Sequence, residues 1–135
     1  MTCTAMSLPI TAIFTGIFAI LMVPLSLQIS IHYARTGKTQ ADPNVLSDEV
    51  LRRKTRAHGN FIEYVPLALI GLGLVELGGA SPTLVWSLGS LFLAARLIHV
   101  VGTMTADTPI LRGIGMITGH AVYLTMGGWL IYANL

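Results

Sequence analysis

The chain contains four long apolar runs separated by short polar stretches, and each run approaches the roughly 20 residues that a membrane-spanning helix needs. Hydrophobic residues make up 53% of the 135 residues and charged residues only 10%, whereas a soluble domain carries about 25% charged residues. Too few charges are present to solvate a globular surface. The sequence therefore predicts one all-α domain over residues 1–135, an integral membrane four-helix bundle with spans at about 9–33, 48–77, 82–104 and 109–133.

The positive charges are concentrated in and beside the first loop. Six of the eight Lys and Arg residues lie between Arg35 and Arg56, whereas the loop "GGASP" after the second run has no charge and the third loop carries Asp107. The positive-inside rule therefore predicts a cytoplasmic first loop and two outward-facing termini, in the inner membrane if the source is bacterial. A basic loop of this kind is an orientation signal, so nucleic-acid binding is not expected. The single cysteine, Cys3, excludes an intrachain disulfide and a Cys-based metal cluster, and no metal site is predicted.

Local signals predict where the helices begin and end. Ser47, Ser81 and Thr108 are expected to cap helix N-termini, the last two directly before a proline at the first helical position. Gly78–Gly79 is expected to end the second helix. Glu76, at the end of the second span that is remote from the basic loop, is expected to be solvated.

Polar side chains recur at helical spacing near the basic end of every span. Arg56, Asn60 and Glu63 are spaced i, i+4, i+7 and share one helix face. Glu63 lies about 22 Å from the far end of its helix at about 1.5 Å per residue, where a carboxylate facing lipid is costly. It must therefore face protein or a water-filled pocket. The other polar positions are Arg96, His99 and Thr103 in the third span, Arg112 at the start of the fourth, and Gln28, His32 and Arg35 in the first. Together they predict one polar site at the cytoplasmic end of the bundle.

Structural roles are the alternative for several of these residues. Asn60 and Glu63 are also consistent with an interhelical hydrogen bond, and Glu63 is also consistent with an ion pair that only neutralises Arg96. His120, in the middle of the fourth span between small residues, is expected to be a packing histidine. The headgroup region is the expected place for Arg35, Arg52, Arg53 and Lys54.

The segment "RAHGNFIEYVP" resembles the second-helix signature of the MAPEG family, the membrane-associated proteins in eicosanoid and glutathione metabolism. In the third span, "ARLIHVVG" resembles the family segment in which an Arg is followed three residues later by His or Tyr, and the length and four-span layout are similar too. The resemblance implies a homotrimer that binds glutathione between adjacent subunits near the cytoplasmic side. The matching positions of the signature are Arg56, Ala57, Asn60, Glu63, Tyr64 and Pro66.

The resemblance also implies an activity, that of a glutathione-dependent membrane transferase or peroxidase. Its substrates would be lipophilic electrophiles that the lipid bilayer delivers. By position in the family pattern, Arg112 would stabilise the glutathione thiolate as the catalytic residue. Glutathione would be held by Arg56, Asn60, Glu63 and Tyr64, with Arg96 and His99 completing the pocket wall.

Three departures from the family pattern keep other functions open. Thr103 stands where the family often has a tyrosine, and Gly59 stands where some members have a basic glutathione contact. The spacing from Pro109 to Arg112 differs by one residue from that of the prostaglandin E synthase branch. One alternative is a non-catalytic lipid-binding or scaffold protein of the same fold, which the missing tyrosine favours. The other is a small four-span transporter, which is disfavoured because Glu63 is the only deep acid and lies toward one face of the membrane.

Overall fold

The protein is a bundle of four helices, seen in a computed structural model that describes residues 7–105 and 108–135. Cys3 and Asp107 lie outside the described residues. All four helices are long and apolar enough to cross a membrane, which confirms the predicted all-α, four-span membrane fold. The homotrimer stays a prediction. The helices are α1 (Pro9–Thr36), α2 (Glu49–Leu77), α3 (Pro82–Met104) and α4 (Pro109–Ala133), with a short 3-10 turn, Val45–Ser47, before α2.

The caps at the helix N-termini differ from the prediction at two places. Asp48, not Ser47, caps α2, and its carboxylate accepts a hydrogen bond at 3.0 Å from the backbone N–H three residues later. An anionic cap also interacts favourably with the positive end of the helix dipole. Ser81 caps α3 as predicted, accepting the corresponding N–H at 3.3 Å. Thr108 precedes α4, but its side chain makes no capping hydrogen bond.

Glycines follow the C-termini of α1 and α2. Gly37 adopts a left-handed φ of 66° directly after α1, which extends beyond its predicted end at residue 33. Gly78 follows α2 as predicted, and Gly79 takes the positive φ of 83° that turns the chain toward α3. Pro24 and Pro66 lie inside continuous helices, a position that membrane helices tolerate when neighbouring groups satisfy the freed carbonyls.

An aromatic cluster joins α1, α2 and α3 in the middle of the bundle. The ring centroid of Phe18 lies 5.8 Å from that of Phe61 and 5.7 Å from that of Phe92, and all three side chains are buried. Phe14 and Trp86 add a second edge-on contact at 5.4 Å. These are the separations at which tilted aromatic pairs attract each other. The cluster therefore sets how the three helices lie against one another.

Two glycines allow α3 and α4 to approach closely at the polar end of the bundle. A Cβ atom added to Gly115 would lie 2.7 Å from the carbonyl oxygen of Ala95 and 2.8 Å from the Cβ of His99. A Cβ added to Gly102 would lie 2.8 Å from the backbone nitrogen of Arg112. Small residues permit such approach in membrane helices, where packing rather than hydrophobic exclusion drives association. The start of α4 is thereby held against the end of α3.

Glu76, near the C-terminus of α2, is partly buried against the N-terminus of α1, whereas the sequence predicted a solvated side chain. Its two carboxylate oxygens accept hydrogen bonds from the backbone N–H groups of Ile10 at 3.0 Å and Thr11 at 2.8 Å. These N–H groups have no partner within their own helix, because the first turn of a helix leaves its donors unpaired. The carboxylate of α2 thus completes the N-terminus of α1.

We expect Glu76→Ala to lower the free energy of unfolding by about 1–3 kcal/mol for each N–H group that it leaves unpaired. The control is Glu49→Ala, which removes an exposed ion pair with Arg53 and should change stability by at most about 1 kcal/mol. Unfolding of both variants in mixed micelles measures the difference. Equal losses for the two variants would contradict the interhelical cap.

Candidate functional site

A cavity of about 670 Å³ lies between α2, α3 and α4 at the end of the bundle that carries the basic first loop. It is formed by the first half of α2, the last turns of α3 and the first turns of α4. The structure thus brings together polar residues from three of the four spans, at the end where the sequence predicted a site. Its polar lining includes Arg56, Asn60, Glu63, His99, Thr103 and Arg112.

The charged groups of the cavity are of both signs. Arg56 and Arg112 contribute cations, and Glu63 contributes an anion. Arg56 and Glu63 are exposed in the single chain, and Arg112 is half-buried. Such a wall can bind a guest that itself carries both negative and positive groups, because each charge in the guest finds an opposite charge in a partly desolvated place.

Arg96 lies directly behind the cavity wall, with its side chain only 1% exposed. One guanidinium nitrogen, Nη1, donates to Asn60 Oδ1 at 2.9 Å, and Nη2 donates to the carbonyl oxygen of Gly115 at 3.1 Å. The guanidinium carbon also lies 4.9 Å from the ring centre of Tyr64 and 5.1 Å from that of Phe92, within the range of cation–π attraction. Arg96 therefore links α3 to both α2 and α4.

Glu63 is not the partner of Arg96 in the described part of the chain. The ion pairs there involve Asp48 and Glu49, and the hydrogen bonds of Arg96 go to neutral oxygens. Glu63 lies on the cavity wall instead. Its carboxylate is thus available to a guest rather than committed to neutralising the buried arginine.

Tyr64 lies behind the wall, and the residues that line the cavity do not include it. Its ring supports the Arg96 guanidinium, and its backbone oxygen accepts a hydrogen bond from the hydroxyl of Tyr123. A direct contact between Tyr64 and glutathione, as the family resemblance implies, stays a prediction.

His99 and Thr103 form the α3 side of the cavity. Both side chains are buried, with 7% and 3% of their surface exposed. The hydroxyl of Thr103 donates to the carbonyl oxygen of His99 at 2.8 Å. The proton of this hydroxyl is therefore used within the helix and does not point at a guest, as a tyrosine hydroxyl at this position would be able to do.

The polar residues of α1 do not line the cavity, contrary to the prediction that all four spans contribute. His32 Nε2 lies 2.9 Å from the carboxylate of Asp48, which also binds Lys38 at 3.0 Å. An ionised carboxylate only accepts, so Nε2 of His32 carries the hydrogen. The backbone N–H of Leu51, followed by His32 and Lys38, lowers the pKa of Asp48 below its ordinary value. This cluster joins the end of α1 to the start of α2.

His120 is exposed and does not pack in the interior of the chain. Its Nδ1 lies 2.7 Å from the carbonyl oxygen of Met116, and its ring meets that of Tyr64 edge-on at 5.8 Å. The hydrogen bond within its own helix satisfies one ring nitrogen. The rest of the ring is exposed on the outer surface of the single chain.

Sequence reasoning missed residues that shape the site without being charged. Gly119 leaves room for the Arg96 guanidinium, since an added Cβ would overlap with Nη2. Gly115 supplies a carbonyl oxygen to the same group, and the sulfur of Met116 lies 3.6 Å from Asn60 Nδ2. The signal in the sequence was the spacing of Gly115 and Gly119, which puts two small residues on one face of α4.

The fold and this site define a class of protein, a four-span helical membrane protein with a cavity of mixed charge at one end of its bundle. The model of the MAPEG family matches residues 11–132, nearly the full chain. The chain belongs to the MAPEG family, as the resemblance in α2 and α3 indicated.

Curated proteins with a similar sequence are named as inner membrane proteins. Over 85 residues the chain is 31% identical to the inner membrane protein YecN of Escherichia coli K12 and, equally, to the protein of that name in Escherichia coli O6:H1. The match covers 63% of this chain, and the chain spans only 57% of the length of these relatives. No solved structure gives a significant match.

We expect Gly115→Ala to destabilise the protein by about 1–3 kcal/mol, because the new methyl group forces α3 and α4 apart. Gly127→Ala in the same helix is the matched control, since an added Cβ there meets nothing within 4 Å. The control should be neutral or up to about 1 kcal/mol more stable, the usual gain from replacing a helical glycine. Thermal unfolding of the two variants in one detergent tests this, and equal melting temperatures would argue against the close contact.

Proposed function

We propose that the protein is a glutathione-dependent membrane transferase or peroxidase that acts on lipophilic electrophiles. The observation that carries the proposal is the mixed-charge cavity, with Arg56, Arg112 and Glu63 on its wall, in a protein of the MAPEG family. Its volume of about 670 Å³ lies within the roughly 300–1,000 Å³ usual for small-molecule sites. The cavity belongs to a bundle of four helices that are each long and apolar enough to cross a membrane.

The residues of the wall fit the charges of glutathione, which has two carboxylates and one ammonium group at neutral pH. Arg56 and Arg112 are suited to the carboxylates and to a thiolate, and Glu63 is suited to the ammonium group. Asn60 adds a hydrogen-bonding amide, and His99 completes the wall on the α3 side. Each kind of charge in glutathione thus finds a residue of opposite charge on the wall.

Arg112 is the proposed catalytic residue. Bound glutathione would supply a thiolate as the nucleophile toward an electrophilic carbon or peroxide oxygen. A thiol has an ordinary pKa of about 8.5, and each unit by which a neighbouring cation lowers it requires about 1.4 kcal/mol. Arg112 can provide this stabilisation because a guanidinium remains charged at neutral pH. For the same reason it does not take up the thiol proton.

The proposal includes a homotrimer in which a neighbouring copy covers the open side of the cavity. Glu63 is exposed in the single chain although it belongs to a membrane-spanning helix. An uncovered carboxylate at that depth would face lipid at a cost of several kcal/mol. The proposed orientation has the cavity and basic loop at the cytoplasmic side of the inner membrane, in keeping with the location in the name of the Escherichia coli relative.

A second candidate is a non-catalytic lipid-binding or scaffold protein of the same fold. The observation in its favour is Thr103, whose hydroxyl donates to the carbonyl oxygen of His99 and not into the cavity. A protein without a proton donor at this place can bind an anionic guest and still leave it unchanged.

We expect Arg112→Ala to lower kcat/KM for conjugation of a lipophilic electrophile by about eightfold to twenty-five-fold at pH 7, the fall in thiolate fraction when a thiol pKa held about one to two units below 8.5 returns to that value. The deficit should shrink as the pH rises toward about 8.5, because the thiol then ionises without help. The control is Arg35→Ala, which removes an exposed cation that does not line the cavity. The activities of the wild type, Arg112→Ala and Arg35→Ala are measured on purified protein in lipid nanodiscs.

Two results would count against the proposal in different ways. Equal activity of Arg112→Ala and Arg35→Ala across the pH range would remove Arg112 from the chemistry. Wild-type protein that binds no glutathione in calorimetry and turns over no electrophile would exclude the proposed enzymatic activity and favour the second candidate. Lipid that copurifies in the cavity would then identify the guest.

A further inference from the structure

The side-chain amide of Asn60 stands between the buried Arg96 and the cavity. Its oxygen lies 2.9 Å from Arg96 Nη1. Its nitrogen lies on the other side, 3.6 Å from the sulfur of Met116, a residue of the cavity wall. Asn60 itself also lines the cavity. The two ends of one amide therefore face two different environments.

The chemistry of arginine decides which end faces inward. A guanidinium has five N–H donors and no acceptor, so the group that meets it must be an acceptor. Asn60 has one acceptor, its oxygen, and turning the amide over would set N–H against N–H beside a buried charge. That arrangement would leave the Arg96 donor unpaired, at a cost well above that of an ordinary lost hydrogen bond. The amide is thus held with its NH₂ group toward the cavity.

The other contacts of Arg96 prevent it from following a turned amide. Nη2 is bound to the carbonyl oxygen of Gly115 at 3.1 Å, and the planar group lies against the rings of Tyr64 and Phe92. Gly119 fits closely against the guanidinium on the α4 side. The position of the arginine is therefore set by α2, α3 and α4 together, and Asn60 adapts to it.

We infer that Arg96 is a positioning residue that makes Asn60 a hydrogen-bond donor to the cavity, and that the part of the ligand beside Asn60 is a carboxylate or carbonyl oxygen. The Asn60 NH₂ group can still donate to such a ligand oxygen, because the Met116 sulfur is a weak acceptor and accepts from at most one of its two N–H groups. That the ligand is glutathione rests on the proposed function. The direction of the amide does not, since it follows from Arg96 alone.

The substitution Asn60→Asp tests the outward donor of the amide separately from its inward acceptor. An aspartate keeps an acceptor for Arg96 and adds an ion pair, but it replaces the NH₂ donor with a second oxygen that repels an anionic ligand. Asn60→Leu has a similar size and removes both the inward acceptor and the outward donor. The matched control is Asn134→Asp, which makes the same chemical change at an exposed residue at the end of α4.

The test combines calorimetry with reduced glutathione at pH 7 and thermal unfolding of the trimer or chain as purified. We expect Asn60→Asp to melt at or above the wild-type temperature and Asn60→Leu to melt below it. We expect Asn60→Asp to weaken glutathione binding by about tenfold to a hundredfold, the loss typical of a hydrogen bond to a charged group. Asn134→Asp should match the wild type in both measurements.

Three results distinguish the possible failures. A merely structural contact between Arg96 and Asn60 predicts that Asn60→Asp binds glutathione as tightly as the wild type, and that result overturns the inference. Asn60→Asp melting as low as Asn60→Leu overturns it as well, because Arg96 would then not require an acceptor. Wild-type protein that binds no glutathione overturns the proposed function instead, and the melting temperatures alone then decide the inference.

Discussion

The burial of the Arg96 guanidinium is the constraint on which the rest of the polar end depends. A cation removed from water inside a membrane protein is expensive unless its donors are paired. Here Nη1 and Nη2 have neutral partners, the amide oxygen of Asn60 and the carbonyl oxygen of Gly115, with the ring of Tyr64 beside them. The buried Nε has no hydrogen-bond partner among the described residues. Since the two partners come from α2 and α4, pairing two nitrogens of one residue of α3 brings three helices together. The cavity is the space that remains on the outer side of this contact.

Glycines determine how closely this contact is enclosed. Gly115 and Gly102 let α3 and α4 approach, and Gly119 accommodates the guanidinium itself. A larger side chain at these positions would separate the helices that supply His99 and Arg112 to the cavity. The packing of small residues, the hydrogen bonds of the arginine and the composition of the wall therefore depend on one another at the polar end of the bundle.

The four spans could be predicted from the sequence because a run of about 20 apolar residues has few alternatives to crossing a membrane. The meeting of Asn60, Glu63, His99 and Arg112 was also predictable, since helical spacing and the direction of each span put them at one end. Pairing between side chains was not predictable in the same way. From the sequence, either Asn60 or Glu63 of α2 could bind Arg96, and the rotation of the helices about their axes decides between them. The polar residues of α1 were expected at the cavity, yet His32 contacts Asp48, the N-cap of α2.

A crystal structure of the protein, grown from a lipid phase with reduced glutathione, tests the central claim most directly. The claim is that polar side chains of three spans form one recess for a charged guest. The account predicts glutathione density in the cavity, with an oxygen of the peptide beside Asn60 and the sulfur on the side of Arg112. Density for glutathione at another place, or Asn60, Glu63 and Arg112 facing separate surroundings with no shared space, would contradict it.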